Sequence, residues 1–273
     1  MTDFKNIPIY IISFNRLSYL KRLVARLEPA GYSNIHIVDN GSSYPLLLEW
    51  LDETPHTVHR MDKNYGHRVL FDAPEFASVV NDGYFVLTDP DVVPIDECPD
   101  DFIEVFYNAL QNHPFADKAG FSLKIDDLPD AFELKDAVVK WERPFYANPI
   151  KGTGNPVLYK APLDTTFALY RPRREWKNKD GAIRTGAPYV ARHLPWYVDS
   201  RTIDPETAFY NKHDCGSGNW NGTKNAGCFR VTETSWVKLC GVPVVKVKTK
   251  GNVRRYVLFG VLPCWKKAEG RDA

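Results

Sequence analysis

Two aspartates separated by one proline, Asp89 and Asp91 in YFVLTDPDVVP (84–94), carry the clearest chemistry in this chain. Carboxylates two positions apart can share one hard divalent cation. Mg2+ or Mn2+ takes oxygen ligands, keeps several waters, and is commonly completed by substrate phosphates. A diphosphate leaving group needs such an ion, because negative charge develops as its bond breaks. Pro90 fixes its own φ and stiffens the turn between the carboxylates. The same tripeptide could serve as a surface turn capping the next helix. The preceding YFVL favours the first reading, since it is the apolar run of a buried strand.

The surrounding elements extend this pattern. IPIYII (7–12) reads as a first buried strand. Leu17, Leu20, Leu23, Val24 and Leu27 then fall on one helical face, and Pro29 and Gly31 end that helix. NIHIVDN (34–40) reads as a second strand, YPLLLEWLDE (44–53) as a helix and HTVHRM (56–61) as a third strand. APEFASVVN (73–81) reads as a helix, and YFVLTD (84–89) as the fourth strand. A helix over 101–113 and strands at GFSLKI (120–125) and TTFALYR (165–171) follow, with 126–160 as loop and short helix. This alternation predicts an α/β fold with a mostly parallel sheet flanked by helices. In such sheets ligands bind outside the carboxyl ends of the strands. Those ends are polar here: Ser13, Asn15 and Arg16, then Asp39 and Asn40, then Asp89 and Asp91.

Composition narrows the class. The 273 residues are 44% hydrophobic and 25% charged, as in an ordinary globular protein able to bury a sizeable core. A net charge of +1 gives no global field toward nucleic acid, and no apolar run is long enough to span a membrane. The N-terminus reads as a strand rather than a signal peptide. Cysteines 98, 215, 228, 240 and 264 make an odd count without a C-x-x-C pair, which suggests reduced thiols in a cytoplasm. A zinc site from His213, Asp214, Cys215 and Cys228 matches no standard ligand spacing.

IPIYIISFNR, IHIVDNGSS, DKNYGHR and TDPDV occur in the order and spacing of GT-A glycosyltransferases, notably those similar to family 2. The resemblance covers roughly residues 5–95. It continues through LDTTFALYR (163–171) and ARHLPWY (191–197), which resemble segments of bacterial and viral GT-A enzymes. It implies a Rossmann-like GT-A domain and transfer of a sugar from a nucleotide-sugar donor to an acceptor hydroxyl. It places Phe14, Asn15 and Arg16 along the base pocket, with Arg16 also able to meet phosphate. Asp39 would accept from a base N–H or a ribose hydroxyl, or else form a turn capping the next element. Asn64, Gly66 and Arg68 would line the ribose and diphosphate, and Thr88 and Asp89 complete the donor-binding set. Arg68 reads equally as a solvated surface charge. The metal set is Asp89, Asp91 and a late histidine, His193 or alternatively His213. The E-D pair that usually supplies the base in family 2 is absent after Asp91. Asp164 is therefore the candidate general base for an inverting transfer, ahead of Asp199 and Asp204.

The tail adds a separate signal. Residues 246–273 hold eight basic and two acidic residues, a net of +6 against about −5 for the rest. RRYVLFGVLPCWKK (254–267) flanks apolar residues with basic ones, as suits an anionic membrane surface, and resembles tails of bacterial surface-polysaccharide glycosyltransferases. A final core strand is the alternative. The expectation is a GT-A domain over 1–245 and a basic amphipathic extension over 246–273. The donor is a UDP-sugar and the acceptor a saccharide or glycolipid at the inner face of the cytoplasmic membrane. A nucleotidyltransferase would normally show a glycine-rich basic loop near its N-terminus, which YIISFNRLSYLKR lacks. A non-catalytic glycan-binding module would have no need of an intact D-x-D.

Overall fold

The computed structural model describes residues 2–172 and 181–213, and beyond them the backbone of four strands between 233 and 268. The elements are β1 (Ile9–Ser13), α1 (Leu17–Leu27), β2 (Ile35–Asp39), α2 (Pro45–Glu53), β3 (Thr57–Arg60), α3 (Val69–Asp72), α4 (Ala77–Asp82), β4 (Phe85–Thr88), β5 (Val92–Pro94), α5 (Phe102–Asn112), β6 (Lys118–Leu123), α6 (Lys135–Glu142), β7 (Leu158–Lys160), β8 (Ala168–Tyr170), β9 (Ala182–His193) and α7 (Pro205–His213). The main sheet has nine strands in the order β3-β2-β1-β4-β8-β6-β9-β5, with β7 paired to β9. The expected parallel block is present as β3-β2-β1-β4, and β6 and β9 are also parallel. β8, β5 and β7 join antiparallel.

The continuous apolar run of β1 follows from burial on both faces. Side chains alternate across a strand. Ile9 and Ile11 belong to one core cluster with Leu20, Leu23 and Leu27 of α1, Leu47 and Leu51 of α2, and Phe102, Phe106 and Leu110 of α5. Tyr10 and Ile12 belong to a second cluster with Val69, Leu70, Phe76, Phe85 and Tyr170.

The twelve-residue β9 has no clear strand pattern in the sequence. Between the pairs Phe121↔Thr185 and Ser122↔Val190 it carries four extra residues, Gly186 to Tyr189. This bulge breaks the alternation that would betray a strand, and it lets β9 bend. Thr185 Oγ1 donates to Tyr189 O across it at 2.6 Å. Beyond the bulge, β9 pairs with β5, setting His193 opposite Val92. The segment 126–160 forms loop plus α6 and β7, and buried Glu142 of α6 is held to Arg184 of β9 at 2.8 Å.

β10 (Glu233–Leu239), β11 (Val242–Lys250), β12 (Val253–Leu258) and β13 (Leu262–Ala268) form a separate antiparallel meander. The boundary expected at 245 falls inside β11, and the run 254–267 becomes β12 and β13. The zinc reading through Asp214, Cys215 and Cys228 lies outside the described residues. Cys98 is a buried free thiol whose pKa burial pushes up to about 12.

Two histidines couple the outer strands. His36 Nδ1 lies 3.0 Å from His59 Nε2, while His36 Nε2 contacts Asn34 Oδ1 at 2.9 Å. Asn34 Nδ2 donates to Asn6 O, which fixes the carboxamide, so His36 Nε2 carries the proton and Nδ1 accepts from His59. Tyr10 stacks on His36 at 4.6 Å. Burial lowers both histidine pKa values below 6.5; the charge of His59 adds to the effect on His36, and Glu75 opposes it on His59. The folded state then binds fewer protons than the unfolded chain below the ordinary histidine pKa. Stability from this contact is full above about pH 6.5 and is lost as pH falls toward the lowered folded values. Thermal unfolding should therefore show a midpoint that drops between pH 7 and 5, and His59→Gln should flatten that dependence. A variant as pH-sensitive as the parent would contradict the assignment.

Candidate active site

The two aspartates stand where β4 leaves the sheet. Asp89 is held by Thr165, which precedes β8: Asp89 N donates to Thr165 O at 3.0 Å, and Thr165 Oγ1 donates to Asp89 Oδ2 at 2.5 Å. Asp91 leads into β5, and its carbonyl accepts from Leu194 N at 2.8 Å. The β5–β9 pairing brings His193 Nε2 to 3.5 Å from Asp91 Oδ2. The side chains keep only 20% exposure at Asp91 and 15% at His193, so the contact is largely shielded from water. Trp196, 2% exposed, packs 4.6 Å from the His193 ring. Asp91 Oδ1, His193 Nδ1 and Trp196 Nε1 are buried without a hydrogen-bond partner among the described residues.

Burial, and then the charge of Asp91, raise the Asp89 carboxyl well above its usual range; the Thr165 hydroxyl opposes this and Asp164 adds to it. Burial lowers the His193 pKa, with Asp91 opposing and Arg16 adding. Lost hydration is the first cause at both groups, and neighbouring charge the second. Among the described residues no group of three His, Cys, Asp or Glu side chains is gathered closely enough to hold a metal ion by itself. The chain thus brings Asp89, Asp91 and His193 to one edge, whereas His213 lies on α7, its Nδ1 bonded to Phe209 O and its ring stacked on Phe209.

The ends of β1 and β2 are tied by side chains the sequence singled out. Asn15 is fully buried with φ +51°. Its Oδ1 accepts from Ser43 N and Tyr44 N at 2.7 and 2.9 Å, holding the entry to α2, while its Nδ2 is buried without a partner among the described residues. Asp39 Oδ1 accepts from Ser42 N, and Oδ2 lies 3.6 Å from Arg60. Between them Gly41 has φ +77°, and a Cβ there would sit 2.9 Å from the Lys63 backbone. Asn40 donates to Asn64 Oδ1 and Gly66 O and accepts from Tyr65 N, while Gly66 N donates to Asn64 Oδ1. Asn64 and Gly66 are thereby built into a loop sewn to β2. Gly66 has φ +71° with nothing near its missing Cβ, so conformation rather than crowding asks for glycine. Arg68 is half-exposed and pairs with Asp72.

Helix α7 lies against the end of β1. Asp204 caps it, accepting from Thr207 N, and Pro205 opens it. Arg16, only 5% exposed, donates to Thr207 Oγ1 at 2.9 Å and lies 4.0 Å over the Tyr210 ring. Phe14 packs edge-on to Tyr210, and Tyr44 against Phe209. Buried Glu206 accepts from Ser18 N and Ser18 Oγ in the first turn of α1. Helix α1 has no side-chain cap of its own, because Arg16 occupies that position. The α1 N-terminus is thus capped by a carboxylate 188 positions away. Phe14 and Arg16 consequently face α7. Asp199 is engaged by Arg201 and Asp204 by Thr207, whereas Asp164 is exposed immediately beside Thr165.

Thr165, Glu206 and Thr207 escaped sequence reasoning. Thr165 had a usable signal in its position next to Asp164 within LDTTFALYR. The other two act only through contacts across most of the chain. Grooves of about 360 Å3 beside α1 and α2, and about 450 Å3 between α5 and residues 151–158, are lined by none of the strand-end residues.

No family model and no curated protein matches this chain. Among solved structures it is similar to the mannosyltransferase PcManGT from Pyrobaculum calidifontis in complex with GDP-Man and Mn2+, with a TM-score of 0.43 and 12% identity. The match covers 76% of this chain, which spans 60% of that protein's length.

Glu206→Ala should cost about 0.5–2 kcal/mol, the usual price of a lost helix cap, measured by urea unfolding. A change within error would show that Ser18 finds another acceptor.

Proposed function

We propose that this chain is a glycosyltransferase that moves a sugar from a nucleoside diphosphate, in our reading a UDP-sugar, to a hydroxyl of a saccharide acceptor. The observation that carries the reading is the Asp89–Pro90–Asp91 turn at the carboxyl end of β4, with His193 Nε2 3.5 Å from Asp91 Oδ2 and Asp91 Oδ1 buried without a partner among the described residues. Two carboxylates and an imidazole suit Mn2+ or Mg2+, and an incomplete protein cage suits an ion that keeps waters and phosphate oxygens. When bound there, such an ion supplies neutralisation of the charge on the departing nucleoside diphosphate. The residues around it fit a donor held along the ends of β1 and β2, near Asp39 and the loop carrying Asn64 and Gly66.

Asp164 supports an inverting displacement. Its exposed carboxylate, one residue from the Asp89 anchor, would take the proton of the acceptor hydroxyl in this reading. The bond from anomeric carbon to phosphate oxygen breaks as the bond to the acceptor oxygen forms. The acceptor we favour is a lipid-linked saccharide of bacterial surface polysaccharide or lipopolysaccharide, met at an anionic membrane face through the basic segment 246–273. Its net charge of +6 supports this part. Among the described residues no helix is long and apolar enough to cross a membrane.

A thermal-shift series of nucleotide sugars with and without Mn2+ tests the class, and release of free sugar without acceptor separates it from a nucleotidyltransferase and from a glycan-binding module. Asp91→Ala should abolish Mn2+-dependent UDP binding by calorimetry while the fold survives. Undiminished affinity would remove Asp91 from the metal role. Asp164→Asn should lower kcat by at least about 10²-fold, the low end for a lost general base, and leave UDP binding intact. Near-normal turnover would move the base elsewhere.

A further inference from the structure

We propose that Thr165 is a positioning residue that fixes which oxygen of Asp89 is presented to a divalent cation. The inference deepens the metal-assisted reading above and rests on it. Thr165 holds Asp89 twice: its carbonyl accepts from the Asp89 amide, and its hydroxyl donates to Asp89 Oδ2. The first bond sets the backbone and the second sets the carboxylate plane, so Oδ1 is left as the oxygen free of this clamp. Thr165 is itself only 8% exposed.

The clamp is braced from the far side. Lys118 of β6, 4% exposed, reaches Asp164 O at 3.4 Å and Tyr170 Oη at 3.3 Å, and the Leu87↔Ala168 pairing of β4 with β8 follows three residues after Thr165. The strand lead carrying Thr165 therefore has little room to swing with Asp89. Asp91 has no such clamp: its Oδ1 is unpartnered among the described residues and its Oδ2 faces His193. The two carboxylates are consequently unequal, one fixed before a cation arrives and one left to adjust. A hydrogen bond that orients a ligating carboxylate typically changes metal affinity by about 10–100-fold.

The test is Mn2+ affinity in the presence of UDP, read by calorimetry and by the paramagnetic resonance signal of free Mn2+, on the full chain. Thr165→Val keeps shape and branching but removes the donor, and should weaken Mn2+ by about 10–100-fold with UDP affinity in the absence of metal unchanged. Thr165→Ser keeps the hydroxyl and should restore binding close to the parent value. If Thr165→Val fails to fold, Thr165→Ala is read the same way. A parent protein that binds no Mn2+ overturns the metal reading and this inference together. A parent that binds Mn2+ and a valine variant that binds it equally well overturn this inference alone. Valine and serine variants weakened to the same degree would also overturn it, since a packing role would then suffice.

Discussion

The pairing of Val92 with His193 across β5 and β9 is the contact on which the rest of the site depends. β4 and β5 are separated in sequence by only Asp89, Pro90 and Asp91, yet in the sheet they stand at opposite ends of the series β4-β8-β6-β9-β5. The series must therefore curl back on itself. The four-residue bulge in β9 provides the bend, because a regular strand paired to β6 along its whole length would continue straight past the edge. Short β5 has little to hold it apart from β9 and the packing of Val92 and Ile95. Closing this loop of strands brings a histidine over a hundred residues later beside Asp91.

Closure also concentrates charge. Carboxylates at the end of a buried strand lose hydration, and at Asp89 the Thr165 hydroxyl offsets part of that loss. Arg16 is turned toward Thr207 and Tyr210, with its charge still felt at His193. Lys118 reaches the Asp164 carbonyl.

Much of the first ninety residues was legible because both periodicities are clean there: β1 is apolar on both faces, and α1 repeats at helical spacing. The position of the D-x-D at a strand end was legible because both its residues lie within a few positions of the strand that carries them. Asn15 and Asp39 were singled out correctly as strand-end polar residues, but the backbone bonds they make could not be read, since their partners lie on a loop whose course depends on the fold. β9 was hidden by Gly186 and Pro188, and α7 by PETAFYNKH, which has no apolar stripe. The histidine beside Asp91 was named from resemblance, and it is the β5–β9 register that gives it a physical reason. In the tail, alternating basic and apolar residues suit both a surface-lying segment and a strand, and only the backbone pairing of β11 to β13 distinguishes them.

The trans cap on α1 has a consequence for synthesis. A ribosome releases β1, α1 and β2 early, and their apolar faces can begin to collapse as soon as they emerge. The first turn of α1 nevertheless waits for Glu206, and Arg16 for Thr207, so the N-terminal layer spends most of translation with its leading amides unpaired. Nascent chains halted before residue 206 would carry a frayed α1 beside an unfinished sheet edge, a state open to chaperones and proteases. Final consolidation of the oldest helix is thus timed by the emergence of one of the youngest, and a C-terminal truncation before that point would be felt first at the N-terminus.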